Sequence, residues 1–140
     1  MNARDYTYKS TVRESQVDVL GHMNHVQYLQ ALEEARWQII TDGGFGFWVI
    51  AERKIGPAVT EIQIRFLREL RLRDDILIRS VIMPRGLTRY DFHQEIRNGA
   101  GDLCCSATVT MVLMDLHIRK PIKPTPEWAQ CIGFDTPEAR

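Results

Sequence analysis

Between Val17 and Arg36 the chain reads V-D-V-L-G-H-M-N-H-V-Q-Y-L-Q-A-L-E-E-A-R. Asp18 places a carboxylate on a loop, Gly21 supplies a turn, and polar His22, Asn24 and His25 stand just before a helical pattern. A carboxylate can attack a carbonyl carbon or take a proton from water. The unpaired N–H groups of a helix start stabilise negative charge developing on the carbonyl oxygen. These residue types in this order point to carbonyl chemistry, with the base or nucleophile one loop from the oxyanion donor.

Each residue also has a plainer role. Asp is common in turns and caps, so Asp18 alone is ambiguous. Gly21 fits a backbone conformation closed to other residues. His22 and Asn24 suit holding the loop by hydrogen bonds, with Asn24 capping the helix. His25 offers its backbone N–H rather than its ring. Asp18, His22 and His25 are also metal-type donors, and two histidines three apart share a helical face. A further ligand and an outer shell are missing from the pattern, so no metal and no cofactor are expected. Tyr28 lies on the apolar helix face, as core that also touches the substrate. Glu33, Glu34 and Arg36 read as a solvated face with helix-spaced pairing. His93 and His117 have no evident partner and receive no role.

Those side chains need a frame. Residues 5–13 alternate weakly and read as a strand entering the Asp18 loop. From Asn24 to Thr41 the period becomes helical, with Tyr28, Leu32, Ala35 and Ile39 on one face and Gly43-Gly44 as the stop. D-G-G-F-G-F-W-V-I follows, either a flexible connection or the wall of an apolar pocket. Strands are expected over Pro57–Leu67, Asp75–Met83, Thr88–Arg97 and Leu103–Leu116, the last two joined by the turn signal N-G-A-G-D. Pro84, with Gly86, should break the chain between strands. The 121–140 tail is proline-containing and is expected to leave the sheet alone, running over the surface or ending in a short helix. One strand, one long helix and then antiparallel strands make an α+β fold, the helix packed on one sheet face. Pairing through a sheet edge would cover both the edge and the open face.

Composition sets the bounds. The 140 residues suit one domain spanning 1–140. Lys plus Arg equals Asp plus Glu at 18 each, which argues against a general nucleic-acid binder. No run approaches membrane-spanning length, and MNARDYTYKS lacks a signal-peptide core, so a cytoplasmic protein is expected. The three cysteines form no C-x-x-C pair. Cys104 and Cys105 are adjacent in a strand and so face opposite ways; with Cys131 they read as reduced thiols. Arg65, Arg68, Arg71 and Arg73 cluster, with Arg85 and Arg89 beyond. Solvation explains them by default, but arginine also suits phosphate.

Asp18, Gly21, His22, Asn24, Tyr28 and Leu29, followed by Glu33, Ala35 and Arg36, resemble without a gap the pattern D-x-x-G-H-x-N-x-x-x-Y-L…E-x-A-R of the 4-hydroxybenzoyl-CoA thioesterase family. Val12-Arg13 and Leu32–Trp37 look most like the bacterial long-chain acyl-CoA thioesterases of that family. The resemblance continues more weakly through V-T-E-I-Q-I-R-F-L-R-E-L-R-L-R-D-D and A-T-V-T-M-V-L-M-D. One departure is Gln16, where many members carry a second acid. The resemblance implies a hotdog fold, an antiparallel sheet wrapped around one long central helix. It implies an acyl-CoA thioesterase with Asp18 as nucleophile or general base, the N–H near His25 as oxyanion donor, and a site between two subunits of a homodimer or homotetramer. Glu33 is a weaker candidate base. Coenzyme A carries several phosphate charges, for which Arg65, Arg68 and Arg89 are the candidates. Phe45, Phe47, Trp48, Val49 and Ile50 suit an acyl tunnel or buried core. Two other functions fit the same residues: hydrolysis of carrier-protein thioesters, and a non-catalytic module that binds acyl-CoA.

Overall fold

The computed structural model describes residues 5–133. β1 (Asp5–Thr11) leads through a 3-10 turn at Glu14–Gln16 to the Asp18 loop, and α1 (His25–Asp42) follows. Then come α2 (Phe47–Arg53), β2 (Ile55–Phe66), β3 (Asp75–Arg85), β4 (Arg89–Arg97), β5 (Leu103–Asp115), β6 (Lys120–Ile122) and α3 (Pro126–Cys131). The strands form one antiparallel sheet in the order β1-β3-β4-β5-β2, with β6 added beside β5. The sheet wraps around α1, which is the hotdog arrangement.

The start of α1 is set by Asn24, whose extended backbone and side chain cap the helix by accepting the Val26 N–H at 3.0 Å. Tyr28, Ala31, Leu32, Ala35, Ile39 and Ile40 are buried along one face at steps of three and four. The helix ends where the Gly43 N–H bonds the Ile39 carbonyl at 3.0 Å. A Cβ at Gly43 would collide with the Cys131 carbonyl, so glycine is what lets α3 close against this end. Two packed clusters flank the helix: Ile39, Ile40, Phe45, Phe92 and Trp128 at one end, and Val12, Met23, Tyr28, Leu32 and Ile78 at the other. Each fully buried Leu or Ile contributes about 2 kcal/mol relative to exposure.

Four expectations are corrected. The tail does extend the sheet: Lys120, Pro121 and Ile122 pair with Asp115, Met114 and Leu113. Pro121 is tolerated because β6 is an edge strand that need not donate there. Pro84 lies inside β3, opposite Tyr90 and one residue from the strand end, rather than breaking it. The glycine-rich aromatic stretch holds α2, seven residues long and too short to show a helical period. Tertiary packing sustains it, since Val49 and Ile50 pack on the core and Lys54, at φ 60°, closes it with an N–H bond to Ile50. Arg36 is buried, not solvated, at 6% exposure. Its Nη1 donates to Gln94 Oε1 at 3.0 Å, and Gln94 Nε2 donates to the Leu32 carbonyl and Ser80 Oγ. The curling sheet covers more of the helix than the apolar stripe marks. Burial holds the Arg36 guanidinium below its ordinary pKa, against the pull of Glu33. Among the described residues no helix is long and apolar enough to cross a membrane.

Candidate active site

Asp18 and His22 close a tight loop: the Asp18 N–H bonds the His22 carbonyl at 3.2 Å and the Gly21 N–H bonds the Asp18 carbonyl at 3.0 Å. Gly21 sits at φ +87°, as the turn requires. The second arm is sewn to the segment after β2, with the Met23 N–H on the Leu70 carbonyl at 2.7 Å and His22 bridged to Arg71. Val17 pairs with Met23, which fixes where the Asp18 side chain emerges.

The carboxylate itself is held on both oxygens. Oδ1 accepts the Leu20 N–H at 2.9 Å, and Oδ2 accepts from the Asn24 side-chain amide at 3.3 Å. Asn24 therefore joins the carboxylate to the helix start it caps. The Val26 N–H goes to Asn24 Oδ1 and the Gln27 N–H to the Asn24 carbonyl. The remaining donor of that turn is the His25 N–H, for which no acceptor stands among the described residues.

An open cleft of about 350 Å³ lies beside this group, lined by Asp18, Leu20, His22, Met23, His25, Tyr28, Phe66, Leu67, Arg68 and Glu69. Its wall is largely apolar. Phe66 meets Tyr28 edge to face at 5.3 Å and His25 at 6.2 Å between ring centroids. The Tyr28 hydroxyl donates to the Arg68 carbonyl at 3.3 Å and accepts the Leu70 N–H at 3.1 Å, pinning the wall to α1. Burial pushes the Tyr28 phenol above its ordinary pKa, so the ring stays neutral. At the rim, His22 Nε2 lies 3.8 Å from Glu69 Oε2. Arg71 bonds Glu69 and holds its carboxyl below the usual range, so Glu69 is ionised.

The structure thus brings Asp18, His22, His25, Tyr28 and Arg68 to one cleft, with Gly21 and Asn24 directly supporting it. Arg68 is tied to Asp102 at 3.2 Å. Arg65 is exposed on the face of β2 opposite Ser106 and does not line the cleft. Arg89 begins β4 opposite Val112, whereas Phe66 at the cleft lies opposite Cys105. Within one chain that puts Arg89 at the far end of the sheet. Glu33 faces a different groove, beside Gln16, Gln30 and Tyr8. Phe66, Leu67 and Glu69 are cleft residues that sequence reasoning missed. Phe66 ends β2 and the other two lie just past it, and only the β2–β5 register and the Tyr28 bonds bring them to the loop.

The cysteines belong to the core. Cys104 and Cys105 are both buried in one cluster although adjacent, because the β4–β5 ladder bulges there: the pairing steps from Ile96–Cys105 to Arg97–Leu103 and leaves Cys104 without an opposite residue, so the regular alternation expected from the sequence is broken. Burial pushes the Cys105 thiol up to about 12 and Cys131 up to about 11.

The model of the thioesterase-like superfamily matches residues 12–131. The long-chain acyl-CoA thioesterase FadM of Escherichia coli (strain K12) is 30% identical over 112 residues, covering 79% of this chain and 84% of that one. Two solved structures share the fold at lower identity. Slr0204, a 1,4-dihydroxy-2-naphthoyl-CoA thioesterase from Synechocystis, aligns with a TM-score of 0.85 at 21% identity, over 92% of this chain and 96% of that one. SAV2348 from Staphylococcus aureus, solved in complex with CoA, aligns with a TM-score of 0.86 at 18% identity, over 94% and 84%.

Proposed function

The chain belongs to the thioesterase-like superfamily, and from that premise we propose that it hydrolyses acyl-CoA to a free carboxylic acid and coenzyme A. The observation that carries the reading is the Asp18–Asn24–helix link: one side chain holds the carboxylate and caps the helix whose next N–H is open. Asp18 takes a proton from water as the water oxygen bonds to the thioester carbon. The carbonyl oxygen becomes an oxyanion facing the His25 N–H. Collapse of the intermediate breaks the C–S bond and releases the thiolate, which takes up a proton. In the nucleophilic variant an Asp18 oxygen attacks first, and water then cleaves the mixed anhydride. Thioesters suit either route because a thiolate leaves without strong acid assistance.

The apolar wall of Phe66, Leu67 and Met23 accepts the acyl group, and Arg68 at the rim is placed for a phosphate of coenzyme A. A homodimer is part of the reading. β2 is an edge strand whose Val59, Ile62 and Phe66 are exposed, an apolar stripe that a second copy would cover.

Thiol release from acyl-CoA by the purified protein tests the activity. Asp18→Ala should lower kcat by roughly 10²- to 10⁴-fold while the circular dichroism stays native. Unchanged turnover in that variant would end the proposal. Single turnover in oxygen-18 water tests the nucleophilic route: label entering the Asp18 carboxylate, which general-base hydrolysis cannot produce, identifies Asp18 as the nucleophile.

A further inference from the structure

We infer that the end of the sheet remote from the Asp18 cleft docks on an anionic lipid surface, with Leu87 and Ile118 entering the apolar layer and the cations beside them on the headgroups. The inference comes from two hairpins and does not depend on the thioesterase reading. β3, β4 and β5 alternate in direction, so the β3–β4 and β5–β6 turns lie at one end of the sheet and the β4–β5 turn at the other. The cleft is at the β4–β5 end, where Phe66 stands opposite Cys105 near the start of β5. The β4–β5 turn there, N-G-A-G-D, is small and polar, as turns usually are. The two turns at the remote end are not. They read R-G-L-T-R over 85–89 and H-I-R-K over 117–120, an aliphatic residue set among cations in each. Leu87 is 79% and Ile118 59% exposed.

Both tips are built to hold those side chains outward. In the first, Arg85 stands opposite Arg89, and Gly86 at φ +73° supplies the left-handed residue of the turn. In the second, Asp115 Oδ1 accepts the His117 and Ile118 N–H groups at 2.8 and 3.2 Å, and the Asp115 carbonyl accepts the Arg119 N–H at 2.8 Å. β5 carries β4 as far as Val112, opposite Arg89, and β6 from Leu113, opposite Ile122, so the two hairpins adjoin along one flank of β5. Residues 85–91 and 115–123 hold five Lys or Arg and two Asp, in a chain whose net charge is zero. Both carboxylates are spent within the fold: Asp115 on its turn, and Asp91 on the Thr110 hydroxyl at 2.7 Å and on Arg85 at 3.8 Å. Among the described residues no carboxylate pairs with Arg89, Arg119, Lys120 or Lys123. This end therefore sets positive charge around two protruding aliphatic side chains, the complement of anionic headgroups over an apolar layer. A fluid interface takes separate prongs at any spacing, whereas an acidic protein would need a pocket for each.

Co-sedimentation of the purified protein with vesicles reads the docking. The protein should bind vesicles of phosphatidylcholine mixed with phosphatidylglycerol and stay off those of phosphatidylcholine alone. Lys120→Glu with Lys123→Glu should weaken the partitioning roughly tenfold, and so should Leu87→Ser with Ile118→Ser, both double variants keeping native circular dichroism. Wild-type protein that stays off the mixed vesicles overturns the inference; if it binds polyglutamate instead, the end meets an acidic protein. Binding that survives Leu87→Ser with Ile118→Ser overturns it too, since charge alone then suffices. Orientation is read with a polarity-sensitive thiol dye. The native cysteines are all buried, so a single introduced cysteine takes the label. At Leu87→Cys and at Ile118→Cys the emission should shift to the blue on mixed vesicles, and at Ala100→Cys, in the β4–β5 turn, it should not move. An equal shift at all three positions, or none at Leu87→Cys and Ile118→Cys, overturns the placement. None of these readouts uses acyl-CoA, so a protein that hydrolyses none would sink the thioesterase reading and leave this test intact.

Discussion

Asn24 serves two neighbours at once, and the two duties can be separated by substitution. Its Oδ1 caps α1 and its amide nitrogen donates to Asp18. Asn24→Ala removes both and should cost about 1 kcal/mol in urea unfolding, together with a fall in kcat. Asn24→Asp keeps a capping oxygen but sets a like charge beside Asp18, so it should keep most of the stability and still lose turnover. Equal stability loss in the two variants would contradict the cap. The buried thiols give a second test at this scale. Cys105 and Cys131 are raised from 9.0 to about 12 and about 11. A raised acid stabilises the fold fully below its unfolded pKa, and that stability is lost as pH climbs toward the folded one. The urea midpoint should therefore hold up to about pH 9 and then decline. Burial raises the Tyr28 and Tyr90 phenols as well, which extends the decline above pH 10. A midpoint flat to pH 11 would contradict it. At this scale Asp18, Gly21, Asn24 and His25 were legible because they are contiguous and their order carries the chemistry. Phe66, Leu67 and Glu69 were not, since their proximity exists only after β2 has found β5.

Elements carry the cleft through one hydroxyl. Tyr28 grips the backbone on both sides of Glu69, which holds the post-β2 segment against α1. Tyr28→Phe keeps the ring against Phe66 but strands the buried Leu70 N–H. It should destabilise by about 1–3 kcal/mol and raise KM more than it lowers kcat, because the wall loosens while Asp18 keeps its own bonds. Denaturation midpoints and acyl-CoA kinetics check this together, and a variant as stable as the wild type would refute the pinning. The same element scale shows what sequence can mark. α1 announced itself by cap, period and glycine stop, since 18 residues give a period room to repeat. Five strands announced themselves by alternation, apolar content and turn signals, β1 the most weakly. α2 and β6 did not, because seven and three residues carry no period and both exist by packing on elements already in place. Arg36 misled for a related reason: its charge marks solvent locally, while Gln94 and Ser80 from the sheet make burial tolerable.

At the scale of the whole molecule, one folded chain leaves an apolar stripe on a sheet edge beside an open cleft. The proposed homodimer makes that edge its seam, which sets a test at this scale. Ile62 is 41% exposed and sits at the middle of the stripe, away from the cleft lining. Within a single chain a lysine there can reach water, so Ile62→Lys should fold with native circular dichroism. In the dimer it would desolvate two charges near the dyad and forfeit about 2 kcal/mol of burial per copy. Dissociation should follow, and with it the loss of turnover, although Asp18, Asn24 and Tyr28 are untouched. Mass action gives the decisive readout: activity per subunit in this variant should rise with protein concentration, in step with the dimer fraction from sedimentation. A monomeric Ile62→Lys protein with full activity per subunit would show that one chain is a complete enzyme, and would remove the reason for the exposed edge.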